Sequence, residues 1–246
     1  GFDNYGQLLR DPLFWKSLKI TVIYTISSAP ARVTIAFILA FLLNQAIAGK
    51  AFFRAIFYMP VMVSGVSLAL FWAWVLNSDY GLLNEALQVL GIQGPRWLGN
   101  GSWAMVSVIM MSLWRVGGMM VIFLAGLQDI PVSLYESAVL AGASSRQKLT
   151  YITLPMITPA LFYNLVMSLI QSFQVFGEVE VLTSGGPYDS TLVYMINVYR
   201  ESFRFLRMGY GAALSWVMFF IILVVTLTLF RSSNRWVFYA GAKGGT

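Results

Sequence analysis

The chain has 246 residues, of which 58% are hydrophobic and 11% charged, with a mean hydropathy of +0.72 and a formal net charge of +6. An average soluble domain is about 25% charged, so too few charges are present here to cover a water-facing surface. The composition excludes an ordinary soluble domain, a disordered chain and a nucleic-acid-binding module. It favours a helix bundle embedded in a membrane, with basic loops facing the cytoplasm.

Cysteine and histidine are both absent from the sequence. This excludes disulfides, thiolate nucleophiles and the commonest metal ligand. We therefore expect no catalytic residue, no metal site and no cofactor in this chain. An intramembrane enzyme is disfavoured for the same reason, because neither a nucleophile with its base nor a metal centre is visible.

Five stretches are apolar over the length needed to cross a bilayer, which is about 20 residues. They cover residues 17–43, 55–76, 103–127, 156–176 and 210–230. We predict an all-α, polytopic transmembrane bundle in which residues 1–246 form one domain. The start of the chain lacks a basic segment followed by an apolar core, so no signal peptide is expected. Basic residues divide almost evenly between the two sets of loops and only weakly favour placing loop 128–155 in the cytoplasm.

Loop 128–155 carries helical signals of its own. Ser133 and Glu136 have the spacing of a capping box, and Ser144 or Ser145 is expected to cap a second short helix. One apolar stripe recurs at i, i+3, i+4 and i+7, formed by Tyr135, Ala138, Val139 and Gly142. These features fit either a plain helical hairpin or a short amphipathic helix that docks into a groove on a partner.

The spacing within this loop matches a known signature. Glu136-Ser137-Ala138, three residues, Gly142, nine residues and Ile152-Thr153-Leu154-Pro155 resemble the EAA loop of permease subunits in binding-protein-dependent ABC importers. Ser137 replaces the central alanine, and Ala141 stands where many sugar permeases have aspartate, but serine is small enough to keep the packing. The resemblance implies contact with an ATPase subunit through Glu136, Ser137, Ala138, Gly142, Ile152, Leu154 and Pro155.

The resemblance covers essentially the whole chain and points to the sugar-importer branch, which includes maltose, glycerol-phosphate and oligosaccharide permeases. It is carried by residues 1–5, 11–15, 52–60 and 182–187. It implies a bacterial or archaeal cytoplasmic (inner) membrane and a cytoplasmic EAA loop. It also implies six spans in the full subunit, so that one helix would precede this sequence.

Polar groups inside the apolar stretches are candidates for the substrate path, because they are costly to place in lipid. Arg115 fits either a pair at the interface with a sister subunit or a lining of that path. Arg32 is expected to be structural or to snorkel toward the membrane surface. A polar face with helical spacing is formed by Asn164, Ser168, Gln171 and Gln174. With Phe173 and Phe176 nearby to supply aromatic faces, this polar face fits sugar binding and interhelical hydrogen bonding equally well. Glu178 and Glu180 are expected at the rim.

Gly185, Gly186 and Pro187 are typical of a tight turn. Their resemblance to the external loop of the family suggests contact with an extracytoplasmic solute-binding protein. No phosphate-binding loop is present, because Gly49-Lys50-Ala51 lacks both the upstream glycine and the hydroxyl residue. The resemblance therefore implies that MgATP binds to two separate ATPase subunits and that a second, homologous permease completes the complex.

Taken together, these features predict a permease that imports a carbohydrate or a related solute, driven by partner ATPases through residues 132–150. An ion-coupled secondary transporter is the alternative. It would usually need acidic residues inside the spans. The ten carboxylates of this chain instead fall in loops or near the predicted span ends.

Overall fold

A computed structural model describes residues 2–238. Gly1 and residues 239–246, which belong to the predicted domain 1–246, lie outside the described residues. The described part is helical, with no strands, which confirms the predicted all-α class. The α-helices of its first half are α1 (Asp3–Arg10), α2 (Pro12–Asn44), α3 (Lys50–Met62), α4 (Gly65–Val75), α5 (Leu82–Val89), α6 (Gly101–Trp114) and α7 (Gly117–Gln128). Those of the second half are α8 (Val132–Leu140), α9 (Ser145–Lys148), α10 (Leu154–Met156), α11 (Thr158–Phe173), α12 (Gly177–Thr183), α13 (Tyr194–Tyr199) and α14 (Met208–Ser233). Two π-helical turns, Leu149–Thr153 and Arg200–Arg204, join α9 to α10 and continue α13.

Helix α2 forms the centre of the bundle and is 33 residues long. It begins earlier than the predicted stretch, because Asp11 caps it by accepting a hydrogen bond from the Leu13 N–H at 2.9 Å and Pro12 occupies its first turn. One face of α2 carries small polar residues that are all buried, namely Ser17, Thr21, Thr25 and Ser28. Small side chains of this kind let neighbouring helices approach closely.

Three of the five predicted stretches are broken rather than straight. The bend between α3 and α4 is 102°, that between α6 and α7 is 45°, and that between Ser145–Met156 and α11 is 61°. Within the described residues, α2 and α14 alone are long and apolar enough to cross a membrane unbroken. Counting each bent pair as one span raises that number to five.

The breaks have local causes in the sequence. Ser64 starts a new helix after Val63, since its Oγ accepts a hydrogen bond from the Ser67 N–H at 3.2 Å. The third break falls at Ile157, where Pro159 lies in the first turn of α11. Broken helices at membrane depth are tolerated where they are buried in protein or line a cavity.

Candidate functional site

A cavity of about 700 Å³ lies where the helix breaks meet. We call it the polar cavity. It is bordered by the α3–α4 break, the α6–α7 break and the residues between α11 and α12. Its polar lining consists of Tyr24, Arg32, Ser112, Arg115, Tyr163, Asn164, Gln171, Gln174 and Glu178. Amide, hydroxyl, guanidinium and carboxylate groups therefore face one space that is otherwise lined by apolar side chains and glycines.

Arg115 and Glu178 form an ion pair across the polar cavity. Arg115 follows the last residue of α6, and Glu178 lies in the first turn of α12, where the helix dipole favours a negative charge. Their side chains are 32% and 24% exposed. The sequence allowed two roles for Arg115, an ion pair at the interface with a sister subunit or a place in the lining of the substrate path. In the structure Arg115 lines the cavity and forms its ion pair within the same chain. Glu178, expected at the rim, is part of the cavity wall.

Arg32, expected to be structural or to snorkel toward the membrane surface, also lines the polar cavity. The residue is only 8% exposed. Its Nη2 donates a hydrogen bond to Gln171 Oε1 at 2.9 Å, and its buried Nε has no hydrogen-bond partner in the described structure. No acidic side chain of residues 2–238 forms an ion pair with it.

The predicted polar face of α11 divides between two roles. Asn164, Gln171 and Gln174 line the polar cavity, but the Asn164 side chain also donates a hydrogen bond to the Met119 carbonyl at 3.4 Å. Ser168 does not reach the cavity. It is fully buried, and its hydroxyl donates a hydrogen bond to the Ala29 carbonyl of α2 at 3.4 Å. Ser168 therefore takes the interhelical hydrogen-bonding role that the sequence also allowed.

Phe173 is not part of the cavity lining. It is 5% exposed and packs in a buried cluster with Phe14, Tyr194 and Leu214. Phe176 lies beside the cavity instead, three residues along, because α11 ends at Phe173 and the chain changes direction there.

Sequence reasoning missed Tyr24, Ser112 and Tyr163 as members of this site. Tyr24 and Tyr163 supply aromatic faces to the cavity, and Ser112 supplies a hydroxyl. Tyr24 lies eight residues before Arg32 on α2, a spacing that places the two side chains on similar sides of the helix. That spacing was the one feature of the sequence that could have indicated Tyr24 as a cavity residue. Ser112 and Tyr163 have no such signal, since ordinary apolar helices contain both residue types.

The predicted coupling loop, residues 128–155, contains the exposed helix α8, no residue of which is buried. Glu136 and Ser137 are exposed, and their side chains make no hydrogen bond in the described structure. Gly142 ends the helix with φ of +74°. The Gly142 N–H donates to the Val139 carbonyl and the Ala143 N–H to the Ala138 carbonyl, both at 2.9 Å, which is a Schellman motif.

The expected capping box of Ser133 and Glu136 is wrong. Helix α8 begins at Val132, so Pro131 occupies the N-cap position and Ser133 lies inside the first turn, where it cannot cap. A capping box forms at the next helix instead. The Gln147 N–H donates to Ser144 Oγ at 3.3 Å, and the Ser144 N–H donates to Gln147 Oε1 at 2.8 Å.

The two short helices of this loop are held in one arrangement. The hydroxyls of Tyr135 and Thr153 are hydrogen-bonded at 2.9 Å, and Ile152 packs against the buried cluster around Phe123. A groove of about 240 Å³ lies between the helices, lined in part by Ala138, Gly142 and Ile152. Leu154 and Pro155, also predicted for coupling, lie in α10 beside it.

The predicted external contact loop is a turn, with its two glycines less exposed than its tip. Gly185 is buried, whereas Gly186 and Pro187 are half-buried. The exposed tip is Tyr188, which is 93% exposed and which the sequence did not indicate. Tyr188 has a φ of +53°, a conformation that costs a non-glycine residue free energy.

The chain is similar to proteins of known type over nearly its whole length. It is 38% identical to the probable ABC transporter permease protein YesP of Bacillus subtilis over 244 residues, covering 97% of this chain and 79% of that protein. It is 33% identical to the lactose transport system permease protein LacF of Rhizobium radiobacter over 242 residues, covering 96% and 81% of the two chains.

A solved structure of similar fold is a bacterial alginate ABC transporter in complex with alginate pentasaccharide-bound periplasmic protein. It matches with a TM-score of 0.88 and 26% identity, covering 96% of this chain and 83% of that chain. Residues 21–237 match the family described as binding-protein-dependent transport system inner membrane component. The family resemblance inferred from the EAA loop is thus confirmed, and the chain belongs to this family of inner membrane permeases.

Proposed function

We propose that this chain is a permease subunit that moves a carbohydrate or related solute from an extracytoplasmic binding protein into the cytoplasm. The five apolar stretches cross the membrane, with each bent pair counted as one span. ATP is bound and hydrolysed by two separate ATPase subunits, and this chain is not itself an enzyme. Family membership and the carbohydrate importers among its relatives support this proposal.

The observation that carries the coupling role is the exposure of α8. Leu140 is 91% exposed and Val132 is 68% exposed, although both are apolar. Apolar side chains presented on an exposed helix are typical of a surface that docks into a groove on a partner. The ATPases would draw this helix toward its counterpart on the sister subunit when they close on MgATP, and hydrolysis would reset it.

The polar cavity supports the transport role and the need for a second permease. Its amides and tyrosines are suited to hydroxyl groups and to the faces of sugar rings. The cavity is open on one side in the single chain, where Tyr163 is 51% exposed. A homologous second permease would close that side. Ion coupling gains no support, because the cavity's one carboxylate, Glu178, is engaged by Arg115.

The proposal is tested by charge reversal at Glu136 in the purified importer, assembled with its partner subunits and reconstituted in liposomes. Glu136 is exposed and forms no side-chain hydrogen bond or ion pair in the described structure, so Glu136→Lys should leave this subunit folded and inserted. We expect the ATPase to detach, or ATP hydrolysis to lose its stimulation by loaded binding protein, by about tenfold or more. A charged group at a docked interface typically costs that much.

The matched control is Glu85→Lys, an equal charge change on exposed α5, far along the chain from α8. It should keep both ATPase binding and stimulation. Full stimulation of the Glu136→Lys importer would contradict coupling through α8. Gly142→Asp is a weaker test, because its φ of +74° strains any residue with a side chain and so mixes local distortion with lost docking.

A further inference from the structure

Arg32 presents a positive charge that nothing in the described structure neutralises. It is more than nine-tenths buried and lines the polar cavity, with one hydrogen bond to Gln171 and a buried Nε that has no partner. A buried guanidinium is stable only when it is paired and its donors are satisfied. In the described structure Arg32 has no ion-pair partner, and only some of its N–H donors are satisfied.

The charges of the polar cavity do not balance. Its ionised groups are the guanidinium groups of Arg32 and Arg115 and the carboxylate of Glu178. Glu178 is already paired with Arg115, so one positive charge, that of Arg32, is left over. A positively charged, partly enclosed space concentrates anions, since low-dielectric walls strengthen the field within it.

The groups around Arg32 are suited to a ligand that combines one anionic group with several hydroxyls. A guanidinium can bind a carboxylate, sulfonate or phosphate through two parallel hydrogen bonds. Gln171 and Gln174 lie on the same wall and can bond hydroxyl groups, and Tyr24 offers an aromatic face to a sugar ring.

We propose that Arg32 binds the anionic group of the transported solute inside the polar cavity, so that this importer carries acidic saccharides. The inference rests on the proposed function and adds the substrate class to it. Glu178 and Arg115 then form the neutral part of the wall, and Arg32 selects for negative charge.

The first test compares matched probes with the complete importer in proteoliposomes containing its binding protein. Digalacturonate is compared with galactobiose, sulfoquinovosyl glycerol with glucosyl glycerol, and glycerol 3-phosphate with glycerol. We expect ATP-driven uptake of at least one acidic member and little uptake of its neutral counterpart. Uptake of neutral probes alone would overturn the charge inference while leaving the proposed function intact. Uptake of no probe of either kind would contradict the proposed function, and the inference would fail with it.

The second test assigns the preference to Arg32 by measuring equilibrium binding of the imported acidic probe to the importer in nanodiscs, without the binding protein. Arg32→Gln should weaken binding of this probe by roughly tenfold or more, which is the usual effect of losing a charge-assisted pair. Binding of the neutral counterpart should stay the same. Arg32→Lys keeps the charge and should retain most of the preference.

One control separates this role from a general effect of removing an arginine. Arg231→Gln removes an exposed charge at the end of α14 and should change nothing. Equal loss of acidic and neutral binding in Arg32→Gln, or an unchanged preference in that variant, would overturn the proposal.

Discussion

The side chain of Tyr188 is presented to solvent by a few neighbouring residues that hold its turn. Its side chain projects from a turn that is held on two sides by basic residues. Lys16 Nζ donates to the Tyr188 carbonyl at 2.9 Å, and the side chain of Arg200 donates to the Ser184 carbonyl at 2.7 Å. Asp189 forms ion pairs with both bases, at 3.3 Å to Lys16 and 3.6 Å to Arg200. A backbone held in a sparsely populated conformation, with an aromatic tip that is almost fully exposed, is typical of a contact site.

Tyr188→Ala should therefore weaken the interaction with the binding protein without destabilising the subunit. The side chain is 93% exposed, so its loss removes almost no internal packing. Loss of an exposed aromatic contact of this kind typically costs about 1–2 kcal/mol, or roughly tenfold in affinity. The measurement is the binding-protein concentration that gives half-maximal ATPase stimulation. Tyr80→Ala, at another exposed tyrosine, is the matched control, and an equal shift in both variants would argue against a specific contact.

At the same scale, the sequence located some site residues and misplaced others. Periodicity along α11 indicated Asn164, Gln171 and Gln174 as one polar wall, and all three line the cavity, because Asn164 and Gln171 lie on α11 and Gln174 directly follows its last residue. Periodicity cannot show what faces that wall from another element. Glu178 meets Arg115 across 63 positions of sequence, and that pairing depends on how α6 and α12 pack.

At the scale of the elements, helix breaks create the polar cavity. Hydropathy predicted five apolar stretches but not their bends, because the residues at the breaks between α3 and α4 and before α11 are themselves mostly apolar. The clues were local, such as Ser64 followed by Gly65, and the pair Gly117 and Gly118 after Arg115. These signals mark the end of a helix, but they do not fix the angle of the bend. Helices α3 and α7, one from each of the first two bent pairs, pack against each other.

Gly117 marks the closest approach in that packing. A Cβ atom added there would lie within 3.0 Å of two backbone atoms of α3, the Phe57 carbonyl oxygen and Tyr58 Cα. Backbone cannot rotate away as a side chain can, so α7 would have to shift. We expect Gly117→Ala to lower stability by about 1–3 kcal/mol, the usual cost of overpacking, despite the better helix propensity of alanine.

The adjacent glycine supplies the control for this prediction. A Cβ atom on Gly118 would meet nothing within 4 Å. Gly118→Ala should therefore leave the melting temperature of the detergent-purified complex unchanged or slightly raised, whereas Gly117→Ala should lower it. Equal melting temperatures for the two variants would show that α3 and α7 do not pack as closely as described.

At the scale of the whole molecule, the coupling loop and the polar cavity are connected through one buried cluster. Tyr135 and Ile152 of the loop pack against a core that includes Phe123 of α7 and Val33 of α2. Both helices also line the cavity, through Met119 and Arg32 respectively. Under the proposed coupling to an ATPase, a displacement of the loop would therefore be transmitted to the cavity walls through packed side chains, since such cores resist gradual deformation.

This connection predicts that the cavity changes its access when the ATPases trap nucleotide. The chain has no cysteine, so Gly118→Cys would place a unique thiol of this subunit in the cavity wall without a clash. Labelling by a membrane-impermeant maleimide from the extracytoplasmic side should be slow in the resting importer and faster after vanadate trapping.

Two control variants report on the two sides of the membrane. Tyr80→Cys, on the proposed extracytoplasmic side, should be labelled in both states, and Ser145→Cys, on the proposed cytoplasmic side, in neither. Equal labelling of Gly118→Cys before and after trapping would mean that α8 does not control the cavity. Loss of this faster labelling in the Glu136→Lys importer would show that the signal passes through α8.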